Sequence, residues 1–183
     1  MPKTMLYHLR PRNLIGTSLV PFFELQGVDP SLAAKAMAKY QGRFSIPDRP
    51  LPELMCRWGD CVLFSPVHPE AIRAAFVEAG HTWPKEGVTF LGINADHAGF
   101  STDDTVIWLY ENAGPNADLA AAKKDVVPYS ADRVARFSVL PDRTRDYLRE
   151  MKATDRRPLL FVGVPHVLHR GRVALDGVEE LVI

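Results

Sequence analysis

The fold is most readily inferred from one stretch, Cys61-Val-Leu-Phe-Ser-Pro-Val-His-Pro-Glu-Ala-Ile-Arg-Ala-Ala-Phe-Val-Glu-Ala-Gly80. Its first five residues, 61–65, are apolar and of the length of a short buried strand. Pro66 and Pro69 then stiffen the turn that follows. Beyond the turn, apolar residues recur at helical spacing until Gly80, which is typical of a helix stop. The stretch therefore predicts a strand, a rigid turn and a helix that packs on the core through Ile72, Ala75, Phe76 and Ala79.

The composition is that of an ordinary globular chain. Of 183 residues, 46% are hydrophobic and 24% are charged, which suits a single domain spanning residues 1–183. Lysine plus arginine equal aspartate plus glutamate, 22 against 22, so net charge gives no case for a nucleic-acid scaffold, although it does not exclude a local basic patch. Fifteen prolines and twelve glycines argue against a helical bundle.

The sequence carries no targeting or membrane signal. The first residues lack the apolar segment of a signal peptide, and no apolar run approaches the roughly 20 residues that cross a bilayer. We therefore predict a cytoplasmic protein with no membrane partner. Cys56 and Cys61 are interpreted as reduced thiols, because two cysteines without a second pair are a poor zinc signature.

The remaining elements are inferred from alternation, capping residues and breakers. Helices are predicted from Pro30 and from Pro141 to about Lys152. Because the elements follow no regular βαβ order, the fold class is predicted as α+β, with a mixed, mostly antiparallel sheet of six to seven strands and about three packed helices. No glycine pattern matches a Rossmann or phosphate loop. The further strands are predicted at residues 5–9, 88–93, 105–110, 134–139 and 159–164, and strand pieces at 173–175 and 179–183 close the chain.

Two histidines stand where a ligand could meet them. His8 lies within the first strand, where it could donate a hydrogen bond to a ligand or sit as a satisfied core or edge residue. His68 precedes the helix that begins near Pro69, where it could join the backbone amides in binding an anion or act as a polar cap. Ser65 ends a strand before a helix, but Pro66 removes the amide that usually completes an oxyanion hole, so acyl transfer is disfavoured. Phe64 and Ser65 are instead expected to wall a cleft.

Two carboxylates begin the last strand. Alternation places Glu179 and Glu180 on opposite faces, so that one could enter a cleft while the other faces water. The alternative is a charged edge-strand residue that blocks unwanted pairing. A metal site built on Asp96, His97 and another histidine is a further alternative, but most acidic loops are merely solvated. His166 and His169 are expected to point to opposite faces and to share no metal.

Three segments, in this order, resemble the ADP-ribosyltransferase-like superfamily. They are Leu6-Tyr-His8, Val62-Leu-Phe-Ser-Pro66 and Gly177-Val-Glu-Glu-Leu-Val-Ile183. The small bacterial members, namely toxin-type DNA ADP-ribosyltransferases and RNA 2′-phosphotransferases, are the nearest in character.

The resemblance implies an enzyme that uses NAD and a nucleic acid as a substrate rather than a scaffold. In such an enzyme His8 would hydrogen-bond the ribose, Phe64 would pack the nicotinamide, and Arg10 or Arg12 would meet the pyrophosphate. Either Glu179 or Glu180 would stabilise the oxocarbenium-like transition state. Two alternatives stay open at this point: a non-catalytic α+β protein that binds a partner or small ligand, and a metal-dependent hydrolase.

Overall fold

The computed structural model describes residues 4–12, 14, 16–37, 46–96, 99–109 and 125–183. These residues form eleven β-strands and five α-helices. The strands are β1 Met5–Leu9, β2 Ser18–Leu19, β3 Pro50–Leu51, β4 Cys56–Arg57, β5 Cys61–Phe64, β6 Thr89–Asn94, β7 Thr105–Trp108, β8 Val126–Pro128, β9 His166–Arg170, β10 Val173–Ala174 and β11 Glu179–Val182. The helices are α1 Phe22–Val28, α2 Pro30–Met37, α3 Pro69–Glu78, α4 Ala131–Arg136 and α5 Asp142–Ala153.

Two antiparallel sheets form the body of the molecule. One has the strand order β1-β6-β11 and the other β5-β9-β7-β8, and two short ribbons, β10-β2 and β3-β4, flank them. The sheets meet where the Tyr7 and Ser65 backbones exchange two hydrogen bonds of 2.8 Å. The α+β class and the antiparallel pairing are confirmed. The prediction of one sheet of six to seven strands with about three helices is wrong, because the strands divide into smaller sheets and five helices form.

The four-stranded sheet is covered on both faces. Val106 and Leu168 pack with α3 and α5 in one core cluster, whereas Ile107 and Val167 pack toward β1 and β6 in a second. A sheet buried on both faces requires apolar residues at successive positions, which explains the unbroken apolar runs of its strands. The turn and helix after β5 therefore belong to the first cluster, and the sheet separates that cluster from the second.

The elements with local start and stop signals form as predicted. The Asp29 carboxylate accepts the Leu32 N–H at 3.0 Å and caps α2. His68 Nδ1 accepts the Glu70 N–H at 3.1 Å and caps α3, and Gly80 closes that helix at a φ of +86°. His68 thus caps the helix, which is one of the two roles that the sequence left open.

Two predicted strands are absent from the described residues. Residues 131–136 form α4 instead, because Ser130 Oγ accepts the Arg133 N–H at 3.3 Å and starts a helix that buries Val134. Residues 159–164 form turns, with Gly163 at a φ of +79°, and the strand begins only at His166. Arg143 Nε donates to the Gly163 carbonyl at 2.7 Å, which ties this turn to α5.

Candidate functional site

The register of β1, β6 and β11 decides which predicted site residues share a face. His8 lies opposite Leu91, and Leu91 lies opposite Glu180. Because cross-strand neighbours point to the same side, His8 and Glu180 share one face with their backbones about 10 Å apart. Glu179 lies opposite Gly92 and so points to the other face, as alternation predicted.

Glu179 faces Tyr7 on that other side of the sheet. Tyr7 lies opposite Gly92 from the β1 side, and its ring makes an edge contact with His68 at 5.0 Å between centroids. Burial, and then the charge of Glu179, raise the pKa of Tyr7 above its ordinary value. The two glutamates of β11 therefore have different surroundings, and Glu180 is the one on the His8 face.

His8 is held by the neighbouring strand. Its Nδ1–H donates to the Leu63 carbonyl at 2.7 Å, and its ring lies 5.6 Å from the Phe64 ring. The ring orientation is therefore set by β5 before any ligand arrives.

Phe64 and Ser65 are parts of the core. Phe64 is 1% exposed and also contacts Phe100 edge-on at 5.5 Å. Ser65 is 4% exposed, and its hydroxyl donates to the Val67 carbonyl at 3.1 Å and accepts the Val67 N–H at 3.0 Å. Both residues support the sheet junction from inside rather than presenting a surface.

Arg10 connects the sheet face to a cleft. Its Nε donates to Glu180 Oε1 at 2.9 Å. It also lines a cavity of about 840 Å³, which we call the basic cleft. Of the predicted site residues, all of which the structure describes, Arg10 and Arg12 line it, whereas His8, Phe64, Ser65, His68, Glu179 and Glu180 do not. The lining comes from three segments: residues 9–12, residues 76–89 and residues 151–160.

The basic cleft has an excess of positive charge. Five cations line it, Arg10, Arg12, Lys152, Arg156 and Arg157, against the carboxylates Glu86 and Asp155. Within the described ranges, the carboxylate partner found for these cations is Glu180, on Arg10. The other four cations therefore face the cleft and solvent without an ion pair from the described part of the chain.

The end of α5 explains how Arg156 and Arg157 reach the cleft. Asp155 takes a left-handed φ of +51°, its N–H donates to the Lys152 carbonyl at 3.2 Å, and the Arg156 N–H donates to the Met151 carbonyl at 2.8 Å. This pair of bonds is the Schellman helix end, which turns the chain sharply back. The negative end of the helix dipole also favours cations at this point.

Aromatic side chains form one wall of the basic cleft. Trp83 Nε1–H donates to the Ile183 carbonyl at 2.7 Å, and the Trp83 ring meets Phe76 edge-on at 5.4 Å. His81 Nε2–H donates to the Leu148 carbonyl at 2.9 Å, with its ring 4.9 Å from Phe76. The wall is thus fixed by hydrogen bonds to backbone carbonyls.

The sequence interpretation missed most of the basic cleft. It assigned Arg12 a phosphate role through the resemblance, but it gave His81, Arg156 and Arg157 no role in a site. The local signal was the paired arginines directly after α5, beside a proline. What could not be seen was that they face residues 9–12 and Trp83.

No group of three metal-ligating side chains occurs in the described ranges. His166 and His169 in β9 point to opposite sides, as predicted: His166 contacts Trp108 and His169 contacts Phe100. His97, a predicted member of the metal alternative, lies outside the described residues.

Comparison with protein-family models, with curated proteins and with solved structures finds no significant match. None of the helices in the described part of the chain is long and apolar enough to span a membrane.

Proposed function

We propose that the basic cleft binds a phosphate-bearing nucleotide, with NAD as the first candidate. The observation that carries this proposal is the meeting of five cations and a fixed aromatic wall in one cavity of about 840 Å³. Cavities of roughly 300–1,000 Å³ are the size that small organic ligands occupy.

The chemistry of the lining fits the two ends of a nucleotide. Guanidinium groups bind phosphate oxygens in pairs, and Arg10, Arg12, Arg156 and Arg157 offer four of them. Trp83 offers a ring edge or face to a planar base. A pyrophosphate would lie between the end of β1 and the end of α5, which agrees with the phosphate role expected of Arg10 or Arg12.

Arg10 also makes NAD a more specific candidate than other nucleotides. It is bonded to Glu180, on the sheet face that carries His8. A pyrophosphate on Arg10 would bring the adjoining ribose toward Glu180. In ADP-ribosyl transfer the bond between nicotinamide and ribose breaks, nicotinamide keeps the electron pair, and an acceptor oxygen or nitrogen bonds to the ribose carbon. Glu180, rather than Glu179, is the carboxylate we assign to stabilise the developing positive charge.

Binding is tested by titrating the protein calorimetrically with pyrophosphate, ADP-ribose and NAD. Each charge-assisted hydrogen bond contributes about 1.5–3 kcal/mol, so replacing both Arg156 and Arg157 by Gln should weaken binding by at least about tenfold. The matched control replaces Arg145 and Arg149, which lie on α5 itself and pair with Glu78 outside the cleft, and should bind as the wild type does. Equal weakening in both double variants, or no binding by the wild type, would refute the site.

Catalysis is tested separately, by nicotinamide release from NAD. Glu180→Gln should abolish release, whereas Glu179→Gln, which alters the other face of the same strand, should retain it. A protein that binds NAD but releases no nicotinamide, alone or with nucleic acid added as an acceptor, is a binding protein. That result would support the ligand-binding role of the basic cleft and would refute the transferase activity.

A further inference from the structure

The two cysteines lie in contact although neither belongs to the basic cleft. Cys56 is in β4 and Cys61 begins β5, and their Sγ atoms are 3.7 Å apart. Both are free thiols. The Cys61 thiol also lies 3.9 Å from the Arg57 carbonyl.

The turn between them holds this geometry. The Arg57 N–H donates to Asp60 Oδ2 at 2.8 Å. The Trp58 N–H donates to the Arg49 carbonyl and the Gly59 N–H to the Pro47 carbonyl, each at 2.8 Å. Five residues apart in sequence, the thiols are thus kept together by a hydrogen-bonded turn rather than by chance contact of flexible side chains.

The two thiols differ in access and in acidity. Cys56 is half-buried, whereas Cys61 is 3% exposed. The hydrogen bond from Cys61 lowers the pKa of Cys56, and the charge of Arg170 lowers it as well. Burial and the charge of Asp60 act in the opposite direction. The hydrogen bond to Cys56, followed by burial, raises the pKa of Cys61. The reachable sulfur is therefore the one favoured as a thiolate, which is the nucleophilic form.

We propose that Cys56 and Cys61 form a modification site, at which a hydroperoxide oxidises Cys56 and Cys61 converts the product into an intramolecular disulfide. The Cys56 thiolate attacks the peroxide, the O–O bond breaks, and Cys56 becomes a sulfenic acid while hydroxide or alkoxide leaves. The Cys61 sulfur then attacks Cys56, the S–O bond breaks, and the released hydroxide takes the Cys61 proton as water. Peroxide is reduced by two electrons, which the two sulfurs supply.

The first step prepares the second. Two of the causes that raise the pKa of Cys61, its hydrogen bond to Cys56 and the charge of Cys56, come from the partner sulfur. The charge is lost when the Cys56 thiolate becomes a neutral sulfenic acid. The sulfurs must then approach from 3.7 Å to the bonded distance of about 2.05 Å.

The test exposes the folded chain to hydrogen peroxide, then unfolds it in denaturant with iodoacetamide to block the remaining thiols, and measures the intact mass. The wild type should lose both alkylation sites together and have a mass about 2 Da below that of the reduced, unalkylated chain. Dithiothreitol should restore both thiols. Peptide mapping should find the cross-link between Cys56 and Cys61, which needs no variant.

Two variants separate the roles. Cys61→Ser should stop at a sulfenic acid on Cys56, which dimedone traps, and Cys56→Ser should keep its buried thiol alkylatable after unfolding. The proposal is overturned if the wild type accumulates the dimedone adduct without forming a disulfide. It is overturned as well if its thiols react with hydrogen peroxide no faster in the folded protein than in denaturant. It is also overturned if Cys56→Ser loses its thiol as fast as the wild type.

Discussion

Replacing Glu180 by Gln should tighten the binding of inorganic pyrophosphate to the basic cleft. Glu180 Oε1 accepts the Arg10 Nε–H at 2.9 Å and so neutralises one of the five cations that line the cavity. Glutamine is close in shape to glutamate but carries no charge. The substitution therefore leaves Arg10 with its full charge available to a phosphate.

The size of the effect follows from the distance across the guanidinium. A phosphate on the far side of Arg10 would lie about 6 Å from the Glu180 carboxylate, where two unit charges repel by about 0.7 kcal/mol in water and about 3 kcal/mol near a protein surface. The two side chains are 38% and 56% exposed, so the lower part of this range applies. A gain of about 1 kcal/mol tightens the dissociation constant about fivefold at low salt and about twofold at 0.15 M.

The assay is pyrophosphate titration followed by tryptophan fluorescence. Trp83 lines the basic cleft, while Trp58 and Trp108 are 5% and 4% exposed in the core, so a ligand-dependent signal should vanish in Trp83→Phe. In an Arg10→Gln background, Glu180→Gln should have much less effect, since the two substitutions act through one ion pair.

Glu24→Gln is the matched control, because Glu24 pairs with Arg172 in an equally exposed ion pair away from the cleft. It should leave pyrophosphate affinity unchanged. Removing either exposed pair should change the free energy of unfolding by less than about 1 kcal/mol. If Glu180→Gln binds pyrophosphate at low salt no more tightly than the wild type, Arg10 does not hold the phosphate and this reasoning is refuted.

Two further predictions concern the stability of the fold. Gly59→Ala should lower the free energy of unfolding by about 1–3 kcal/mol in urea titrations, because its Cβ would lie 2.5 Å from Phe23 Cε2. In the control Gly27→Ala the added Cβ has no atom within 4 Å, so this variant should not be destabilised. Equal losses of stability in the two variants would contradict the steric argument. Burial lowers the pKa of His166 to about 4, so the folded state resists its protonation. Because the unfolded value is about 6.5, stability should be fully present above pH 6.5 and fall by about 3 kcal/mol as the pH drops to 4. His166→Phe, which keeps a ring beside Trp108, should flatten that part of the unfolding profile, and an unchanged profile would assign the acid loss to other groups.

The predicted elements that formed are those whose signals are local. Pro69 and Gly80 bracket α3, and Asp29 caps α2, so each boundary is specified by residues next to it in sequence. Residues 131–136 show the opposite case. An alternating sequence around Val134 suits a strand, yet the Ser130 cap and one buried valine are enough for a short helix once neighbouring elements cover it. Local alternation alone could not decide this, because the partner surface comes from distant residues.

The site shows the same limit. Alternation sufficed to place Glu179 and Glu180 on opposite faces, since that depends on adjacent residues. Which glutamate joins His8 depends on how β11 and β1 both align with β6, and a shift of one residue would have exchanged them. The basic cleft is harder still to predict from the sequence, because three segments far apart in sequence each contribute ordinary surface charges or aromatic rings to it.

Arg10 lines the basic cleft and also pairs with Glu180 on the sheet face that carries His8. In the structure Glu180 Oε1 accepts the Arg10 Nε–H, so the charge of this carboxylate is balanced by Arg10. A pyrophosphate that competes for Arg10 would weaken this bond and release Glu180 on the face that carries His8. Because coupling between two sites is reciprocal, whatever frees Glu180 must favour phosphate on Arg10 by the same free energy. The carboxylate would therefore present its full charge to the transition state only when the phosphates of a ligand are in place, and a nucleoside without phosphates would leave it paired with Arg10.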